Sequence, residues 1–258
     1  MSTLRVALVQ TAAGLDPAQN RARLADLVPA DTDLVVLPEA FARDFGTPGE
    51  DVSGYAETVD GPFGRALSQV AAERDTTVIA GMFERSTDPA RPHNTLLVRG
   101  AVETSYRKIH LYDSFGYRES DRLTGGPLQP VVCEVGGFRI GLMTCYDLRF
   151  PELARALVDA GAEVLVVPAA WVAGERKVDH WRTLVRARAI ENTVWVLAAG
   201  QPPPRYTGHS LAVDPWGDVL AEAGDEADAV LRITLDASEL TRARETNPSL
   251  ANRRFTAP

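Results

Sequence analysis

The sequence predicts an α/β fold made of two related strand–helix–strand units, because one pattern occurs twice along its 258 residues. Segments 5–10 and 34–41 in the first half resemble segments 139–144 and 165–171 in the second half. In both halves the second segment is an apolar strand that ends in Pro-x-Ala followed by an aromatic residue. Apolar strands joined by helices are typical of parallel strand pairs whose faces are covered. The repetition therefore predicts a pseudo-duplicated α/β architecture.

Each unit also has a helix-start signal between its two strands. Asp16 followed by Pro17 is a capping residue with proline in the first turn. In the second unit a helix begins near Pro151, carries apolar residues on one face and stops at Gly161. These signals predict that a helix connects the two parallel strands of each unit.

Further elements are predicted between and after the units. Apolar residues at helical spacing from Phe63 predict a helix over 63–71. The others, in chain order, are strands at 77–82 and 94–98, a glycine-rich loop over the site at 112–127, a strand at 130–135, a helix at 180–192, and strands at 194–199, 210–213 and 219–221. A polar tail is expected at about 247–258, and the absence of a linker predicts one domain over 1–258.

Composition narrows the class of protein. Hydrophobic residues make up 45% and charged residues 24%, as in a globular protein with a full core. The net charge of −8 argues against nucleic-acid binding, and no apolar segment is long enough for a membrane span. We expect a cytoplasmic protein, because no leader is evident and its two cysteines are no disulfide framework. No cofactor or metal is predicted, since the four histidines lack ligand spacing.

Three polar residues stand at or near the ends of apolar, strand-like segments. Cys145 follows the strand at 139–144, Glu39 follows the strand at 34–37, and Lys108 interrupts strand-like sequence. Separately, each has a plain interpretation as a buried thiol, a loop carboxylate or a surface cation. Together, a thiol nucleophile, a carboxylate base and a cation for an oxyanion are the parts needed for acyl transfer through a covalent intermediate.

The position of Cys145 between a strand and a helix start is expected to affect the ionisation of its thiol. Unpaired N–H groups at a helix start carry partial positive charge, which favours thiolate over thiol. The N–H of Tyr146 is then a candidate donor to a developing oxyanion. Cys133, in an alternating strand, is expected to be an inert core residue.

The chain resembles the nitrilase superfamily of carbon–nitrogen hydrolases from residue 5 to about residue 254. The resemblance is carried by Leu-Pro-Glu at 37–39, Tyr-Arg-Lys-Ile-His-Leu at 106–111 and Cys-Tyr-Asp-Leu-Arg-Phe-Pro-Glu at 145–152, with further blocks at 180–192 and 208–217. It implies a four-layer α-β-β-α sandwich that forms a homodimer or a higher homo-oligomer. It also implies a catalytic triad of Glu39, Lys108 and Cys145, with Glu119 as a fourth member.

Within the superfamily, the Cys145 segment and the Gly-His-Ser sequence at 208–210 are most similar to deaminated glutathione amidases and omega-amidases. The implied reaction is hydrolysis of a small, carboxylated amide to carboxylate and ammonia. Arg43 is then a candidate reader of the substrate carboxylate, with Arg176 as another, and Trp171 is a candidate pocket wall.

Other functions stay open on the sequence alone. An N-carbamoyl amino acid hydrolase, an aliphatic amidase and a nitrilase are alternatives within the superfamily, although Leu148 and the Tyr146–Asp147 pair depart from two of those patterns. A non-catalytic binding subunit is the alternative from another class, because a fold does not fix a function.

Overall fold

In a computed structural model, which describes residues 2–255, two sheets pack face to face. The strands, in chain order, are β1 (Thr3–Gln10), β2 (Leu34–Val36), β3 (Thr77–Glu84), β4 (His93–Arg99), β5 (Thr104–Arg107), β6 (Asp113–Ser114), β7 (Tyr117–Arg118), β8 (Val132–Val135), β9 (Phe138–Leu142), β10 (Val164–Ala169), β11 (Trp195–Gly200), β12 (Leu211–Val213), β13 (Val219–Glu222) and β14 (Ala229–Asp236). The helices are α1 (Pro17–Ala22), α2 (Leu24–Leu27), α3 (Pro62–Arg74), α4 (Pro151–Asp159), α5 (Lys177–Asn192) and α6 (Ala237–Thr246).

The two sheets have the same internal order, which confirms the predicted duplication. One sheet runs β14-β1-β2-β3-β4-β5 and the other runs β8-β9-β10-β11-β12-β13. In each, three central strands are parallel and the outer neighbours are antiparallel. Strand β2 therefore corresponds to β10, and β1 corresponds to β9.

Four layers result because each sheet buries both of its faces. Leu8 and Val36 of the first sheet share one apolar cluster with Ile140 and Val166 of the second, so this cluster fills the space between the sheets. A second cluster joins the other face of the first sheet to α2 and α3, including Phe63 of α3. Helices α4 and α5 cover the outer face of the second sheet. The α-β-β-α sandwich is confirmed.

Several local details differ from the sequence-based expectations. Helix α4 begins at Pro151 as predicted, but a short 3-10 turn, Cys145–Arg149, lies between it and β9. The expected loop at 112–127 contains the hairpin β6–β7, and the expected first helix is divided into α1 and α2. Strand β14 and helix α6 were not predicted, although β14 alternates between more and less buried positions as an edge strand does.

After α6 the chain is partly packed. Asn252 N donates to Pro248 O at 3.0 Å, Leu250 lies against the main core, and Arg253 pairs with Asp159 at 2.6 Å. The expected polar tail at about 247–258 thus makes side-chain contacts as far as Arg253, and positions 256–258 lie outside the described residues.

Candidate active site

Glu39 is held at the rim where the two sheets meet. The segment that follows β2 crosses β3 closely, because Gly81 has no side chain: a Cβ there would lie 2.3 Å from Ala40 N. The Glu39 carboxylate accepts the Ala170 N–H, just beyond β10 of the other sheet, on Oε2 at 2.7 Å. Its Oε1 accepts from Asn94 Nδ2 at 2.7 Å. Backbone and amide donors from both sheets therefore fix the orientation of this carboxylate.

Lys108 lies just beyond β5 and connects two buried carboxylates. Its Nζ is 2.9 Å from Glu39 Oε1 and 2.9 Å from Glu119 Oε2. Burial lowers the pKa of Lys108, but the charges of Glu119 and Glu39 outweigh burial, so that its pKa is raised well above the ordinary value. The side chain is therefore a permanent cation at neutral pH.

Glu119 comes from the turn that follows the β6–β7 hairpin. Tyr112 N donates to its Oε2 at 2.6 Å, and Asn94 Nδ2 lies 3.4 Å from its Oε1. Burial raises the pKa of Glu119, Lys108 lowers it, and the neighbouring Glu39 raises it again, with a net rise. Glu119 consequently retains a proton at a higher pH than an exposed glutamate does.

Cys145 begins the 3-10 turn after β9 with a left-handed backbone, φ 46°. The sequence-based expectation of a stabilised thiolate is wrong. Burial raises the pKa of the Cys145 thiol well above its ordinary value, the Glu39 carboxylate raises it further, and Lys108 opposes them only in part. Removal of the sulfur from water disfavours its charged form. In the resting protein Cys145 is a neutral thiol that needs a base.

The four predicted catalytic side chains are therefore together. Glu39, Lys108 and Glu119 are 1–2% exposed and Cys145 is 7% exposed, yet all four line one cavity of about 930 Å³. Tyr146 and Trp171 also line this cavity, as expected for pocket residues. The β6–β7 hairpin contributes Phe115 and Tyr117 to the wall, so the loop expected over the site does lie there.

Sequence reasoning missed Asp147, which joins the segments of two candidate catalytic residues, Cys145 and Lys108. Its fully buried carboxylate accepts from Tyr106 Oη at 2.7 Å, Thr144 N at 2.9 Å and His110 N at 3.0 Å, and lies 2.8 Å from His110 Nδ1. These bonds tie the turn of Cys145 to the strand end of Lys108. The sequence signal was an acid two residues after the thiol, which also reads as an ordinary turn residue.

Comparison with known proteins decides the family. The model of the carbon–nitrogen hydrolase family matches residues 5–245. The chain belongs to the carbon–nitrogen hydrolase family. The resemblance inferred from the motifs is thereby confirmed, and this carbon–nitrogen hydrolase is an enzyme of the amidase type.

Individual relatives of this carbon–nitrogen hydrolase agree with that assignment. A deaminated glutathione amidase of Escherichia coli O157:H7 is 41% identical over 88% of this chain and 87% of its own length. An omega-amidase of Mus musculus is 34% identical over 98% of this chain and 96% of its own. The crystal structure of a superfamily protein from Xanthomonas campestris, with an arsenic adduct in its active site, matches 100% of both chains with a TM-score of 0.87 at 29% identity.

The structure of this carbon–nitrogen hydrolase corrects the position of Arg43. Arg43 is 2% exposed, pairs with Glu50 and lies over the ring of Tyr55 at 4.3 Å, outside the set of cavity-lining residues. Arg176 is exposed, pairs with Glu175 and is likewise outside the set. Among residues 2–255, the cation that lines the cavity without an ion-pair partner is Lys177, at the start of α5.

No helix within 2–255 is long and apolar enough to cross a membrane. Across the same range, histidine, cysteine and acidic side chains form no group of three or more suited to a metal ion.

Proposed function

We propose that the enzyme hydrolyses a small, carboxylated amide to carboxylate and ammonia through a thioester on Cys145. The observation that carries this proposal is the convergence of Glu39, Lys108, Glu119 and Cys145 on one cavity. The names of the relatives support a substrate of the deaminated glutathione or omega-amide type. A cavity of about 930 Å³ is at the large end for small-molecule sites, which favours an extended acyl group over a short aliphatic amide.

The first half of the reaction forms the thioester. Glu39 takes the proton of the neutral thiol while the Cys145 sulfur attacks the amide carbon. The Lys108 ammonium has three protons, and two point to Glu39 and Glu119, so one is left for the developing oxyanion. The N–H of Tyr146 is the second proposed oxyanion donor. As the tetrahedral intermediate collapses, Glu39 returns its proton to the leaving nitrogen and ammonia departs.

The second half releases the acid. Glu39 removes a proton from water, and the resulting oxygen attacks the thioester carbon. Lys108 stabilises the second oxyanion as it did the first, and the sulfur leaves with the proton held by Glu39. Glu119 has a positioning role, because it fixes Lys108 at 2.9 Å and Tyr112 N at 2.6 Å.

Ammonia release from a panel of amides tests this function. We expect turnover of deaminated glutathione or 2-oxoglutaramate, with weaker activity on an N-carbamoyl amino acid and on simple aliphatic amides. Cys145→Ser should lose nearly all activity, because a hydroxyl group is a far poorer nucleophile than a thiol and gives up its proton less readily. Full-rate hydrolysis by Cys145→Ser would contradict the thioester route.

We also propose that the single domain, 1–258, works as a cytoplasmic homodimer or higher homo-oligomer. Two free cysteines, one of them the proposed nucleophile, fit a reducing compartment. Apolar side chains exposed on and beside α5, Ile190 at 45% and Trp216 at 37%, support association through the helical face. Light scattering should give at least twice the mass of one chain, and a monomer at working concentration would exclude the dimer.

A further inference from the structure

Lys177, the first residue of α5, lies on the cavity wall with an unusual set of neighbours. Its side chain is largely buried, and the residue is 8% exposed. Its Nζ donates to Tyr112 Oη at 3.2 Å and lies over the rings of Phe115, at 4.0 Å, and Trp171, at 5.9 Å. Within residues 2–255 no carboxylate comes within ion-pair distance of this ammonium. A buried cation without a counter-ion is costly unless a ligand supplies one.

Each of the other charged side chains on the cavity wall has an ion-pair partner. Glu175 pairs with the exposed Arg176 at 3.7 Å. Arg205 pairs with Asp44 at 2.7 Å. Lys108 is shared by Glu39 and Glu119, and the lining residue Glu50 pairs with Arg43 behind the wall. Lys177 is therefore the charged side chain on the wall that, within residues 2–255, has no ion-pair partner, and it lies at the aromatic surface of the cavity.

A second cation with an unsatisfied donor lies close by. Arg149 has its guanidinium carbon 4.8 Å from the ring centre of Trp171, and its Nη2 lies 3.5 Å from His180 Nδ1. Its buried Nε has no hydrogen-bond partner. Burial, and then the charge of Arg149, lower the pKa of Lys177. Lys177 and Arg149 repel each other, and the Nε–H of Arg149 has no acceptor. A bound anion would be attracted by both positive charges and would reduce their repulsion.

We propose that Lys177, supported by Arg149, binds a carboxylate on the acyl group of the amide substrate. This rests on the proposed amidase function and names the residue that selects its substrate class. The amide end reacts at Cys145 while the carboxylate end pairs with the Lys177 ammonium, and the aromatic rings exclude water from that pair. Exclusion of water strengthens the ion pair relative to one on the surface.

Two amides of equal chain length separate this role from a purely structural one. Glutaramate carries a carboxylate at the far end, and pentanamide carries a methyl group there. For Lys177→Met, the ratio of kcat/KM for glutaramate to that for pentanamide should fall by about ten- to a hundredfold, the range for a hydrogen bond to a charged group. Most of the fall should be in KM, because the carboxylate is equally bound before and during reaction.

Two further variants test separately whether the charge of Lys177 and its position in the chain matter. Lys177→Arg keeps the cation and should keep most of the preference for glutaramate. The matched control is Arg176→Met, which removes the adjacent exposed cation and should leave the ratio as in the wild type. An unchanged ratio in Lys177→Met would overturn the proposal, because a residue that only packs against the hairpin affects both amides alike.

Failure of the proposed function would give a different result. If the wild type hydrolysed neither amide, the amidase proposal would be contradicted for this substrate class. Calorimetric binding of glutaramate to Cys145→Ala, with and without Lys177→Met, would still decide whether Lys177 recognises the carboxylate. If the wild type hydrolysed both amides with equal kcat/KM, the amidase function would stand and the role of Lys177 would fall.

Discussion

Glu39 acts on Cys145 in two opposing ways at the scale of single residues. In the proposed mechanism Glu39 accepts the thiol proton as a base, and as an anion it raises the pKa of the same thiol. Glu39→Gln removes both effects. Amide hydrolysis should fall by about 10²–10⁴-fold, the usual contribution of a general base. Alkylation of Cys145 at neutral pH should become faster, because the thiol pKa falls when the neighbouring negative charge is lost.

Iodoacetamide labelling followed by peptide mass mapping measures that second effect. The internal control is Cys133, whose pKa is raised by burial to about 11 and which lies in a strand away from Glu39. Its labelling rate should be the same in both proteins. If Cys145 in Glu39→Gln labelled more slowly than in the wild type, the assignment of Glu39 as the anion that raises the thiol pKa would be wrong.

At the scale of elements, the site depends on a link between the turn after β9 and the end of β5. Asp147 accepts from Tyr106 and His110 on one side and from Thr144 on the other. In Asp147→Asn an amide NH₂ would face donors in place of an acceptor oxygen. We expect a loss of about 1–3 kcal/mol in the free energy of unfolding. We also expect kcat to fall more than KM rises, because Cys145 and Lys108 lose their relative position.

Urea unfolding and steady-state kinetics on the same samples check both expectations. Asp121→Asn is the matched control, since Asp121 is exposed and pairs with Arg118 at the surface. It should change the free energy of unfolding by less than about 0.5 kcal/mol. A destabilised Asp147→Asn with wild-type kcat would assign Asp147 to the fold alone.

The same elements show what the sequence could and could not predict. Strand ends are visible as the point where an apolar run meets a polar residue, so Glu39 and Cys145 were predictable. Lys177 was not, because its proposed role depends on which rings surround the start of α5 and on the finding that no carboxylate among residues 2–255 lies within ion-pair distance of it. The position of Arg43 was predicted wrongly for the same reason: its partner Glu50 is close in sequence, but only the packing shows that Glu50 lines the cavity while Arg43 lies behind it.

At the scale of the whole molecule, the candidate active site is formed by the packing of the two sheets against each other. Glu39 comes from the first sheet and Cys145 from the second, because the duplicated halves present their strand ends to one rim. Bonds across that rim fix the sheets: Gln201 Nε2 donates to Glu39 O at 3.0 Å, and Ser210 N donates to Gln10 Oε1 at 2.9 Å. Separation of the sheets would therefore abolish activity before either sheet unfolded.

Two buried tyrosines also hold the sheets together, and their ionisation should unfold the molecule at alkaline pH. Tyr106 donates to Asp147 at 2.7 Å, and Tyr206 donates to Asp44 at 2.6 Å, in each case between segments of different sheets. Burial, followed by the facing aspartate, raises the pKa of both phenols. In the unfolded chain a tyrosine ionises near pH 10, so above about pH 10 the unfolded state binds fewer protons than the folded state.

The sign of this difference means that the free energy of unfolding falls as pH rises, by up to about 1.4 kcal/mol per pH unit for each tyrosine. Urea unfolding between about pH 9 and about pH 12 should show this slope, and Tyr206→Phe should reduce it, because phenylalanine has no proton to lose in either state. Lys108, whose pKa is also raised, contributes with the same sign and is present in both proteins. The control is Tyr55→Phe, at an exposed site. An equal slope in Tyr206→Phe and the wild type would show that the alkaline loss of stability comes from other groups.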